Sequence, residues 1–295
     1  MTRIDLATSL RTRAAFGACL ALLAACSRQQ PPSAPKPPAP TPAPVVAAAA
    51  ALPAPQALDK KHGDAIMGAL FGAAYDAGHG RARTTMKVNG SRQDLLMTLG
   101  AAATLPDGRV AAVVNGTPDE DGVGPAVVGG IVNVYVLQRA GNAWTVAARH
   151  EQVDKLGSEG HIDSARWIAL GPGKPGFIVS TGEDVDGYSI VSAKIYALGQ
   201  EVRSLGSFTE AADMCAPDSN ECQHVDSHTR FADEVQPNGY RDIVVDFKGR
   251  RYTYDEGADD KRVEHFKSAI RQTARYRFDG KAYVLKAGSE PTLPI

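Results

Sequence analysis

The order of apolar and polar residues divides the chain into three stretches with different periods. From Ala14 to Ala25 the residues are almost all apolar, behind a basic start at Arg3, Arg11 and Arg13. That run is shorter than the roughly 20 residues a helix needs to cross a bilayer, so it reads as the core of a secretory signal rather than a membrane span. From Gln29 to Leu58 Pro and Ala dominate and no period is visible. Beyond Asp59 the pattern becomes periodic. Ile66, Met67, Leu70, Phe71 and Ala74 fall at helical spacing, with Asp64 as the candidate cap. After Arg83 the period changes to two. It predicts strands over 95–104 and 109–114 about Pro106-Asp107-Gly108, over 131–139 and 144–150 about Ala140-Gly141-Asn142, and over 165–170, 177–180, 189–198, 202–208, 243–247 and 251–254. A last hairpin joins 275–278 to 282–286 through Asp279-Gly280, and Val263, Phe266 and Ile270 suggest one short C-terminal helix. In the 144–150 strand, His150 shares an alternating face with Trp144 and Val146. The expected fold is mainly β: an antiparallel sandwich or an irregular propeller-like array of sheets, with one N-terminal and one short C-terminal helix. The tip glycines 141, 199 and 280 are unevenly spaced, unlike a regular propeller.

The end of the first apolar run is specific. Leu23-Ala24-Ala25-Cys26 resembles the lipobox of bacterial lipoproteins. The resemblance implies a signal peptide over 1–25 and a lipidated Cys26 as the mature N-terminus. It also implies attachment to the bilayer by several acyl chains, which together hold firmly where one would not. Ser27, rather than Asp, implies the outer membrane, with the protein facing the periplasm. Residues 26–58 then form the anchor and a Pro/Ala-rich tether. Proline removes amide donors and favours extended chain, so the tether could reach roughly 90 Å at about 3.1 Å per residue.

Cys19 leaves with the signal and Cys26 carries lipid, which leaves Cys215 and Cys222. In an oxidising compartment two such thiols are expected to form a disulfide. Residues 59–295 form the β-rich domain, with 27 basic and 32 acidic side chains. That balance argues against nucleic acid, which calls for a clustered basic face.

Three stretches carry candidate chemistry. Thr117-Pro-Asp119-Glu-Asp121-Gly122 and Gly182-Glu183-Asp184-Val-Asp186-Gly187 place carboxylates as a DxDxDG calcium loop would. Position 1 is Thr or Gly and position 12 is Val128 or Ala193, so a solvated Asp-Gly turn is the stronger reading and Asp119, Asp121, Asp184 and Asp186 are weak metal candidates. Cys215-x6-Cys222-Gln-His224-Val-Asp-Ser-His228 has metal-ligating residue types, but its cysteine spacing is wide and oxidation removes the thiolates, favouring a stapled loop with surface histidines. Gly157-Ser158-Glu-Gly-His161-Ile-Asp163 pairs a hydroxyl with a histidine, yet lacks the G-x-S-x-G elbow.

Asn238-Gly239-Tyr240-Arg241-Asp242-Ile243-Val244-Val245 resembles a fragment of FG-GAP propeller repeats, without the upstream calcium-binding aspartates of that family. The domain also resembles uncharacterised proteobacterial envelope proteins with an aromatic-tipped hairpin and a Gly-Ser-x-Gly loop, a resemblance that brings no activity. The expected function is a non-enzymatic, lipid-anchored module that binds an envelope protein or glycan, with no cofactor. The alternative is an envelope hydrolase using His161, Asp163, Glu183 and Asp184, since paired carboxylates can divide acid and base roles.

Overall fold

The computed structural model describes residues 54–118, 129–185, 188–215, 220–256 and 262–292. In chain order these form β1 (Gln56–Ala57), α1 (Lys60–Phe71), β2 (Tyr75–Asp76), β3 (Arg81–Val88), β4 (Ser91–Thr104), β5 (Val110–Pro118), β6 (Gly130–Ala140) and β7 (Ala143–Leu156). There follow β8 (Ser164–Gly171), β9 (Lys174–Val185), β10 (Tyr188–Leu198), β11 (Val202–Cys215), β12 (Glu221–Val235), β13 (Arg241–Glu256), β14 (Arg262–Phe278) and β15 (Tyr283–Gly288). All pairing is antiparallel and divides the strands between two sheets. The first runs β2-β3-β4-β5-β6-β7, with β1 on β4; the second runs from β15 through to β8 in reverse chain order. Two long meanders packed together fit a sandwich. The propeller-like alternative finds no support in this strand order.

Alternation along the central strands decides the layering. On one face of the first sheet, Ala112, Val114, Ile131, Tyr135 and Leu137 cover Ile66, Met67 and Leu70 of α1. On its other face, Ala111, Val113, Val132, Val134 and Val136 meet Phe177, Val179, Tyr196 and Leu198 of the second sheet. The opposite face of the second sheet has its own core, including Ile178, Ile195, Phe208, Val245 and Tyr276. β5 and β6 are therefore buried on both sides.

The helix starts earlier than its spacing suggests. Asp59, not Asp64, is the N-cap, and its carboxylate accepts from the His62 amide at 2.9 Å. Asp64 instead holds Lys60 and the Tyr75 hydroxyl on the helix surface, and Ala74 lies exposed in the turn that follows.

The expected C-terminal helix is replaced by strand. Val263, Phe266 and Ile270 lie in β14, paired with Asp255, Tyr252 and Gly249 of β13. In that conformation Phe266 is 68% exposed while Ile270 is buried, so one helical stripe has been dealt to different environments. Cross-strand pairing outweighs a three-residue spacing. The two short strands expected around Lys248-Gly249-Arg250 are one strand, β13. A side chain at Gly249 would collide with the His224 carbonyl, so this glycine permits close strand approach instead of a turn.

β12 replaces what the sequence suggests is a loop. Cys215 and Cys222 face each other at the end of the β11–β12 pair, 4.0 Å apart at Cα, and are joined as a disulfide. Closing so short a span is worth about 2 kcal/mol. Reductant, or the double change Cys215→Ala/Cys222→Ala, should therefore lower the melting temperature by several degrees; an unchanged melting curve would show that the bond contributes nothing.

Candidate functional site

Of the sequence candidates, the stretch 157–163 lies between β7 and β8, against Thr117 at the end of β5 and beside Gly182 near the end of β9. This stretch is a tightly anchored turn. Gly157, Glu159 and Gly160 have φ of 73°, 52° and 75°, and the His161 amide donates to the Ser158 carbonyl at 2.9 Å. The Gly160 carbonyl accepts from buried Asn115 at 3.0 Å and buried Thr117 at 2.7 Å, while the Asp163 amide donates to the Ser180 carbonyl at 2.9 Å. A side chain on Gly160 would press on Thr117. Backbone conformation thus accounts for the Gly-Ser-Glu-Gly pattern.

Asp163 lies against Gly182, which brings it beside the segment carrying Glu183. His161, Asp163 and Glu183 are all exposed. Asp184 belongs to β9, with its backbone opposite Ser189. Asp119, Asp121 and Asp186 lie outside the described residues. Among the described residues, no group of three or more His, Cys, Asp or Glu side chains is placed to share a metal ion. His224 and His228 lie four residues apart on a strand, about 13 Å along it rather than one helical turn. The two ring nitrogens of His224 face Asp213 at 3.3 Å and Asp226 at 3.1 Å.

Buried polar side chains hold the fold together. Asn133 donates to the Ile131 carbonyl at 3.0 Å and accepts from the Gln152 amide at 3.0 Å, pinning a bulge where Gln152 has φ of 55°. Ser180 donates to Glu210, which also binds Arg166 at 2.8 Å. Asp154 of the first sheet bridges to the second, meeting Lys194 at 2.6 Å and the Tyr196 hydroxyl at 2.7 Å. Burial raises the Asp154 pKa, but those two hydrogen bonds outweigh it and hold the carboxyl below the usual carboxylate range. Burial, followed by the bond to Asp154, pushes the Tyr196 phenol well above its ordinary value.

At the other end of β5 and β9, the two sheets part to form a cleft of about 390 Å³. Leu105, Val136, Ala148 and Leu198 supply apolar lining, and Asp107, Arg109, His150 and Gln200 supply polar groups. The volume and this mixture fall within the range of small-ligand sites. Asp107 and Arg109 form an ion pair at 2.6 Å; the side-chain hydrogen bond from Arg109 keeps the Asp107 carboxyl below its ordinary pKa against the opposing effect of burial.

His150 reaches this cleft by a route that simple alternation misses. Val136 pairs with Ala148 but Leu137 pairs with Val146, so the ladder slips by one residue between them. Trp144 and Val146 consequently pack on the helix side, whereas Ala148 and His150 turn toward the second sheet and line the cleft. The expectation that His150 shares a face with Trp144 and Val146 is therefore corrected. Bulges re-aim side chains in this way. The apolar-to-polar change at Arg149-His150-Glu151 was the available sequence signal, but it did not locate the slip.

Compared with known proteins, the chain matches no family model, no curated protein and no solved structure.

Proposed function

We propose that this chain is a lipid-anchored envelope protein, held at the outer membrane through Cys26 and facing the periplasm. Its sandwich-like domain serves as a non-enzymatic binding module for an envelope protein or glycan. The observation that carries the binding reading is the inter-sheet cleft, with its apolar lining and the re-aimed His150. A ligand with an apolar body and a polar end suits that composition.

The alternative, hydrolysis by His161, Asp163, Glu183 and Asp184, draws on carboxylates other than those that pair with cations in the fold. Asp107, Asp154, Asp242 and Asp246 have clearly displaced pKa values, all downward and all with cationic partners. A carboxyl serving as general acid at neutral pH needs displacement in the opposite direction. These carboxylates therefore act as fixed negative charges in structural pairs.

A photo-crosslinking amino acid at Gln200, on the cleft, should capture a partner in the cells that make the protein. The same probe at exposed Lys155 should not. The additional change His150→Ala should weaken capture at Gln200. Equal capture at both positions, or capture indifferent to His150, would contradict binding through the cleft.

A further inference from the structure

We propose that a pocket beside the disulfide, separate from the inter-sheet cleft, binds a small oxyanion through Arg251, Lys267 and the side-chain amide of Gln223. The pocket occupies about 280 Å³ and is lined by these residues together with Glu221, Tyr252 and Thr292. It has room for a carboxylate or phosphate and a few further atoms.

Three independent features converge there. First, Gln223 is only 2% exposed, and its Nε2 has no hydrogen-bond partner. A buried amide donor is costly to leave unmatched, and an anionic oxygen in the pocket would match it. Second, Gln223 of β12 stands directly opposite Arg251 of β13, so donor and cation share one register position. Neither Arg251 nor Lys267 forms an ion pair with an acidic side chain among the described residues.

Third, the β13–β14 ladder slips beside them. Arg251 pairs with Ser268 while Tyr252 pairs with Phe266, leaving Lys267 as the extra residue of a bulge. Such a bulge changes where a side chain points, and here Lys267 joins Arg251 around the pocket. Among the described lining residues Arg251 and Lys267 are the two cations and Glu221 is the one carboxylate. A guanidinium, an ammonium and an amide supply the strong charge-assisted donors that carboxylates and phosphates accept.

The test is a pair of NMR titrations on the intact domain, one with inorganic phosphate and one with acetate. Ionic strength is held constant with chloride. Saturable shifts of the Gln223 side-chain amide and the Arg251 Nε signal are expected with at least one anion at millimolar concentration. Phosphate alone would identify a phosphate-bearing ligand class, acetate alone a carboxylate, and both the shared oxyanion chemistry. Lys267→Ala removes an exposed ammonium, so it should keep the melting temperature while weakening the titration by about tenfold, the change expected from losing one charge-assisted contact. Gln223→Met should weaken binding without removing the cations. No saturable shift, equal shifts with chloride, or titrations unchanged by Lys267→Ala would overturn the proposal.

Discussion

Phe177→Ala is expected to remove about 3–5 kcal/mol of stability, the cost of emptying a fully buried aromatic site. Phe177 is 0% exposed and lies in the layer between the sheets. Its ring stacks on Tyr196 at 4.8 Å and tilts against Trp167 at 5.2 Å, adding specific ring contacts to the buried area. For a domain of this size the melting temperature should fall by roughly 10–15 °C. Phe266→Ala is the matched control because that ring is 68% exposed, and it should change stability by no more than about 0.5 kcal/mol. Equal melting temperatures for the two variants would mean that the sheets do not pack through Phe177.

Asp242→Ala should be the other large effect, at about 3 kcal/mol. Asp242 is 0% exposed, and its carboxylate receives Arg275 at 2.7 Å and Arg277 at 3.0 Å. The variant leaves two guanidinium groups facing each other without their shared counter-charge. Their partial exposure places the expected loss at the lower end for a broken buried pair.

The same residue predicts a pH dependence. Burial raises the Asp242 pKa, but hydrogen bonds from Arg277 and Arg275 outweigh it and carry the value below the ordinary carboxylate range. A carboxylate depressed in the folded state contributes its full stability above its unfolded pKa, near 4, and loses it as pH falls through the folded value. The melting-temperature gap between the parent protein and Asp242→Asn should therefore be widest at neutral pH and close progressively below about pH 4. A gap that widens with acid would contradict the assigned ion pair.

The mainly β class and most hairpins were legible because apolar alternation and turn residues agreed. Val136 to Val146 and Tyr276 to Val284 both became hairpins, with Gly141 and Asp279-Gly280 at their tips. β12 was not legible because its inward positions include Gln223, Ser227 and Thr229 beside apolar Val225, so no apolar alternation survives. The supposed C-terminal helix shows the converse: three apolar residues at helical spacing were recruited by a long β13 partner. Bulges concealed the candidate sites. One slip turns His150 away from the Trp144 face, and another makes Lys267 the extra residue beside Arg251. Neither slip leaves a local signature, since each depends on the register of a facing strand.

Everything proposed about the compartment rests on lipid attachment at one sulfur. The most direct measurement is the intact mass of the protein recovered from its own cell envelope. The account predicts a chain that begins at Cys26 and carries diacylglyceryl and acyl groups, and a Cys26→Ala form that carries neither. An unmodified mature chain, or acylation that persists in Cys26→Ala, would contradict it.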